Sequence, residues 1–159
     1  MYQFPHANKC FTKAGLAAGT TTTLTTANAQ EFSIMGKSYK KTATSNEATP
    51  TVDSLTGLPF TPIPAGKGSV FTVWRNASGA LRIGQGQVVD LSPLGQFVNA
   101  PWFCPQENVY APIGDILVLC GTGAATWTFG SSNLAGPPTA TTIIFVDCAG
   151  GMPSRPQVS

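Results

Sequence analysis

The stretch that decides the fold is Val70-Phe71-Thr72-Val73-Trp74 followed by Asn76-Ala77-Ser78-Gly79 and Ala80-Leu81-Arg82-Ile83, the heart of a segment running from Ser69 to Leu91. The first run consists of β-branched and aromatic residues, which fit a pleated, half-buried surface. Asn76 can hydrogen-bond its own backbone, and Gly79 can take the left-handed conformation that a type I turn with a bulge requires. The segment therefore reads as a long antiparallel hairpin with a fixed register. It is architecture and carries no chemistry.

Outward from this hairpin the chain keeps the same texture. Asp115-Ile116-Leu117-Val118-Leu119-Cys120 is a continuous apolar run bounded by turn residues, as expected of a strand buried on both sides, and it reads as the deepest strand. Thr126-Trp127-Thr128-Phe129 alternates, placing Trp127 and Phe129 on one face, and Thr141 to Val146 supplies a last long strand. Toward the N-terminus, the threonine run from Thr20 to Thr26 suits a strand with an exposed face, and Glu31 to Ile34 returns through Ser38 to Lys40 after a turn at Gly36-Lys37. Pro50, Pro59, Pro62 and Pro64 make 42–67 read as a long surface excursion with one helical turn near Ser45 to Ala48. The segment from Ser92 to Pro112 reads as irregular. Short strands punctuated by Gly and Pro, without an amphipathic helical segment of useful length, predict an all-β fold, a β-sandwich or jelly roll, with a body over 16–149 and extended arms at 1–15 and 150–159.

The 159 residues suffice for one domain with a real core, and 42% hydrophobic content favours a globular fold over disorder. Charged residues make up only 10%, well below the usual quarter, so hydroxyls and backbone must cover much of the surface. The formal charge is +2, and apart from Lys40-Lys41 the basic residues are scattered along the sequence, so no basic stripe with interleaved aromatics announces nucleic-acid binding. No apolar run is long enough to cross a membrane as a helix, and 1–15 lacks the apolar stretch of a signal peptide, so export by the ordinary route is not expected. The four cysteines, Cys10, Cys104, Cys120 and Cys148, show no paired spacing and read as reduced, buried thiols.

Little in the sequence could carry catalysis. Gly121-Thr122-Gly123 follows an apolar strand as a dinucleotide fingerprint would, but strand-like residues come next where a helix is needed, so it reads as a turn. Gly66-Lys67-Gly68-Ser69 lacks the Lys-Ser/Thr step of a phosphate loop. His6 is the only histidine, and with Cys10 it would form half of a metal site whose other half is missing. No nucleophile elbow is present. A glycosidase pair among Glu31, Glu47, Asp53, Asp90, Glu107, Asp115 and Asp147 stays open, but turn capping and solvation account for carboxylates at loops and strand ends. The expectation is a protein that is not an enzyme and has no cofactor or metal.

Leu16-Ala17-Ala18-Gly19-Thr20 through Tyr39, the Gly- and Thr-rich strands, Trp127 to Ser132, and the tail Met152-Pro153-Ser154-Arg155-Pro156-Gln157-Val158 resemble small structural proteins of tailed bacteriophages, in particular capsid decoration (cement) proteins. The resemblance implies a β-sandwich on the outside of the head. It implies a protein made in the host cytoplasm that binds neighbouring major capsid subunits and forms a dimer or trimer with itself, with no nucleic-acid or membrane partner. Extended arms could reach across subunit boundaries, with Tyr2, Phe4 and Phe11 as anchors at one end and Met152, Pro153, Arg155 and Pro156 at the other. A rival reading is a receptor- or carbohydrate-binding module such as a tail-fibre tip, for which Trp102 and Phe103 would be the aromatic platform.

Overall fold

A computed structural model of the chain describes residues 8–101 and 109–148, which form eleven strands and no helix. In chain order they are β1 (Lys9–Cys10), β2 (Leu16–Ala18), β3 (Leu24–Thr26), β4 (Gln30–Ile34), β5 (Lys37–Lys41), β6 (Thr44–Glu47), β7 (Lys67–Asn76), β8 (Leu81–Gln85), β9 (Val89–Asp90), β10 (Tyr110–Cys120) and β11 (Thr141–Asp147). They build three sheets: β1-β4-β5, β2-β3-β6, and a central sheet in the order β11-β10-β7-β8, with β9 also pairing with β7. The all-β, sandwich-like single domain expected from the sequence is what forms. These pairings do not establish a jelly roll.

The β7–β8 hairpin forms as its turn chemistry dictates. Asn76 Oδ1 accepts from the Ser78 and Ala80 amides at 3.1 and 2.8 Å, Gly79 N donates to Asn76 O at 2.9 Å, and Gly79 has φ 78°. Its first arm is buried on both faces, rather than half-buried, because it lies between β10 and β8 and is covered above and below. β10 is likewise buried on both faces over most of its length and sits between β7 and β11. It starts at Tyr110, five residues before the apolar run, and tolerates Pro112 because the pairing with β7 shifts between Pro112 and Gly114. A bulge is one of the few places where a missing amide donor does not break a central ladder.

One face of the central sheet carries Phe71, Val73, Ile83, Ile116 and Val118, all fully buried. The smaller sheets cover part of this face with Cys10, Leu16, Leu24, Phe32 and Ile34. Two loops cover more of it, and there Phe71 stacks with Phe60, Trp127 and Phe129 at ring separations of 5.8, 5.9 and 4.7 Å. The proline-rich 48–66 segment runs mostly over the surface, as read, but Phe60 and Ile63 between its prolines are buried and anchor it in the core. The expected helical turn at Ser45 to Ala48 is strand β6, which pairs with β3. The threonine run is a strand only from Leu24 to Thr26, with Thr20 to Thr22 in a turn. Trp127 and Phe129 are buried together as expected. Their segment, though, makes only an isolated bridge to Ile63 and no strand. The β4–β5 turn is Met35-Gly36, one residue earlier than read, with both residues at positive φ as a two-residue hairpin loop demands. Residues 8–15, assigned to an N-terminal arm, belong to the body: β1 pairs with β4, and Cys10 and Ala14 are buried.

Candidate interaction surfaces

Polar groups in the interior tie the sheets together. Arg75, on β7, has no exposed surface; its Nε donates to Gln30 Oε1 at 2.9 Å, and its Nη1 donates to Glu47 Oε1 at 2.6 Å and Gly79 O at 3.1 Å. One guanidinium therefore joins β4, β6 and the hairpin turn. Thr44 Oγ1 donates to the other Glu47 oxygen at 2.9 Å and sits 2.8 Å from Thr26 Oγ1, which extends the network into β3. Burial pushes the Glu47 carboxyl up, but the hydrogen bond and charge of Arg75 outweigh it, leaving Glu47 below the usual carboxylate range.

A second buried group lies on the opposite face of the central sheet. Asp115 accepts from Thr72 Oγ1 at 3.1 Å and from the Cys148 thiol at 3.7 Å, and is 2% exposed. Burial pushes its pKa up to about 7, against which the Thr72 and Cys148 hydrogen bonds work in vain. The Cys148 thiol is pushed up to about 12, first by burial and then by the Asp115 charge. Burial also raises Cys10 and Cys120. Cys10 and Cys120 are free thiols in the core, and Cys104 lies outside the described residues.

All six described carboxylates have structural partners. Glu31 pairs with Lys40 at 2.7 Å and Asp90 with Lys67 at 2.5 Å, and Glu47 holds Arg75. Asp53 accepts the Leu55, Thr56 and Gln85 amides, Asp147 accepts the Leu16 amide, and Asp115 is bonded as above. Among the described residues no group of three or more His, Cys, Asp or Glu side chains is placed to hold a metal.

Of the residues singled out in the sequence as contacts, Phe11 is described; Tyr2, Phe4, Trp102, Phe103, Met152, Pro153, Arg155 and Pro156, and also His6, lie outside the described residues. Phe11 is 57% exposed. Its amide donates to Glu31 O at 2.8 Å, and Glu31 pairs with Lys40 in register, so Phe11, Glu31 and Lys40 form one row across the solvent face of β1-β4-β5. The row borders a shallow groove of about 170 Å³ completed by Phe32, Ser38 and Tyr39.

The basic residues are scattered in sequence but not in space. Lys9, Lys13, Lys37, Lys40 and Lys41, five of the nine Lys and Arg residues, lie on or beside this small sheet, where Glu31 is the one acid among the described residues; register places Lys9 and Lys40 on the face of Phe11 and Glu31, and Lys37 and Lys41 on the other, opposite Ile34 and Gln30. Strand pairing gathers them, and no linear pattern announces it. Among the described residues the other exposed large apolar side chains are Met35, in the turn of this sheet, and Val52, Leu58, Leu94, Val98, Val109, Ile144 and Val146, of which Leu94 is the most exposed at 87%. Comparison with known protein families, with curated proteins and with solved structures finds no match to this chain.

Proposed function

We propose that the chain is a virion structural protein, a capsid decoration (cement) protein of a tailed bacteriophage. In this reading it binds the outer surface of the head, stabilises contacts between major capsid subunits and associates with copies of itself. The observation that carries it is the solvent face of β1-β4-β5, where the exposed Phe11 ring shares a face with Lys9 and Lys40, with Lys13, Lys37 and Lys41 around the same sheet, which is bound into the core. Such a face suits docking on a broad acidic protein surface. Lysine stems cover apolar area while their ammonium groups meet carboxylates, and Phe11 supplies the desolvated centre. Glu31, paired with Lys40, is the one described carboxylate on that face, and the other described carboxylates are engaged elsewhere in the fold, so the lysines keep the sheet positive. The sequence resemblance supplies the identity of the acidic surface as a phage shell.

The experiment is retention of the purified protein on heads stripped of it, measured by co-sedimentation. Phe11→Ser and a Lys13→Glu/Lys40→Glu double variant should each reduce retention, and added salt should weaken the wild type. Equal retention of all three proteins would overturn the reading. So would location of labelled protein at the tail tip, or binding to free DNA as tight as to heads.

A further inference from the structure

We propose that β11 is the pairing edge of a homodimer, in which residues 142–146 of two copies run antiparallel about a two-fold axis through Ile144. The inference gives a surface to the self-association in the proposed function. It rests on that reading only for its purpose, since its observations come from the fold.

The parity of the ladder shows which backbone groups are open. Gly121 N donates to Ala140 O at 2.8 Å and Cys148 N to Ile113 O at 3.1 Å, at either end of the register that pairs Gly114 with Asp147 and Cys120 with Thr141. Hydrogen-bonded and non-bonded pairs alternate in an antiparallel ladder, so Thr142, Ile144 and Val146 bond to β10 while the amides and carbonyls of Ile143 and Phe145 point to the outer edge. β11 ends its sheet, and among the described residues no backbone group bonds to those of Ile143 or Phe145.

The other edges are guarded, and the contrast identifies the exception. On β8, Ile83 O accepts from Ser54 N at 2.8 Å, Ile83 N donates to Ser54 Oγ at 3.0 Å and Gln85 N donates to Asp53 Oδ2 at 2.8 Å, so a loop occupies that edge. β5 carries Lys37, Lys40 and Lys41, the commonest device against edge-to-edge pairing. β1 and β2 are two and three residues long, and β6 is irregular, with Asn46 at φ 54°. β11 alone among these edges has an uncharged run longer than three residues, Thr-Thr-Ile-Ile-Phe-Val, with Ile144 and Val146 at 42% and 40% exposure. A chain that protects its other edges and leaves this one bare and apolar is built to pair there.

The occupant that fits is the same strand of a second copy. With Ile144 opposite Ile144 of the partner subunit, Ile143 of each copy meets Phe145 of the other, and both pairs exchange amide and carbonyl bonds. Val146 meets Thr142 across the non-bonded positions, where side chains approach most closely. No like charges face each other; Asp147, the one charge of the strand, falls opposite Thr141. The result is a sheet continuous through two copies, with the exposed apolar row covered.

The test uses the full chain and two substitutions at the two-fold axis. Wild type should sediment as a dimer that dissociates on dilution. Ile144→Lys and Ile144→Glu, both on the exposed face and checked for folding by circular dichroism, should each weaken dimerisation by about tenfold or more. An equimolar mixture of the two variants should recover the dimer, because Lys then faces Glu. Hydrogen exchange on the wild type should protect the Ile143 and Phe145 amides only at concentrations where it dimerises. A monomer with those amides open, a monomer with them protected at every dilution, or a dimer indifferent to both substitutions would each overturn the proposal. None of these outcomes bears on whether the protein binds a phage head.

Discussion

Replacing Glu47 by Gln keeps the shape of the side chain and removes its charge, which isolates what the buried ion pair contributes. Arg75 has no exposed surface and Glu47 is 21% exposed, so the substitution leaves a desolvated guanidinium facing an amide at a site where water reaches only the carboxylate side. Removing one partner of a fully buried pair costs about 3–5 kcal/mol, and partial access to water brings the expected cost here to the bottom of that range or just below it, about 2–3 kcal/mol. The hydrogen bonds to Gln30 and Gly79 survive, so the loss reports the stranded charge.

That cause can be checked by a double-mutant cycle. In an Arg75→Met background no guanidinium remains to be stranded, and Glu47→Gln should then cost less than about 1 kcal/mol, a coupling energy of roughly 2 kcal/mol. Arg75→Met itself should cost about 1–3 kcal/mol, because it leaves the fully buried Gln30 amide oxygen without its donor. Urea unfolding at neutral pH, with m-values compared to confirm a common unfolding transition, measures all four corners. Equal costs of Glu47→Gln in the two backgrounds would refute the argument that a desolvated guanidinium is what the carboxylate serves.

Three further outcomes are expected. Asp115 has a folded pKa of about 7 against an ordinary 3.8, so its carboxyl opposes folding once ionised: stability falls as pH rises from about 4 to 7 and then levels off. Asp115→Asn should abolish that fall and be the more stable protein at pH 8 by up to about 4 kcal/mol, and parallel urea midpoints for the two proteins between pH 4.5 and 8 would contradict it. Glu47 works in the opposite sense, its depressed pKa giving stability that is present above about 4.5 and lost on further acidification, so the pH of maximum stability should lie on the acid side of neutrality. Burial keeps the Cys10, Cys120 and Cys148 thiols protonated, so iodoacetamide at pH 8 should label them only after urea is added, and rapid labelling of the folded protein would count against it. Gly114→Ala would set its Cβ 2.5 Å from Val146 O, a backbone atom that cannot rotate away, and should lower stability by about 1–3 kcal/mol in a thermal melt.

What was legible in the sequence is what local chemistry decides. The β7–β8 hairpin follows from Asn76 and Gly79, β10 from its unbroken apolar run, and β11 from its β-branched residues; all three are where the pattern puts them. The readings that failed are those in which a distant contact overrides local preference. Thr44-Ser45-Asn46-Glu47 is polar enough to pass for a loop, and it is a strand because Glu47 is held by Arg75 and Thr44 by Thr26. The prolines around Phe60 and Ile63 exclude regular structure there, as read, but they do not exclude burial, which the ring cluster with Phe71 and Phe129 supplies. Trp127 and Phe129 alternate like a strand yet reach the core from a loop, because alternation records which side chains are buried and not how the backbone is paired.

The surfaces were least legible because each is made by pairing across the chain. Lys9 and Lys40 are far apart in sequence and share a sheet only because β4 lies between their strands. Likewise, nothing in Thr141 to Val146 marks it as an edge; that follows from β10 being committed to β7 on its other side. The scarcity of charge gains a meaning once the partners are known. The described acids are consumed in holding loops and strands, so the exterior keeps a lysine-bearing sheet at one place and a neutral, apolar edge at another. Surfaces of such different chemistry suit different partners. A lysine-bearing sheet meets like-charge repulsion against its own copy, whereas a neutral edge carries no such penalty. A protein with this distribution can pair through one surface while leaving the other free to dock, so self-association and attachment to an acidic surface need not compete.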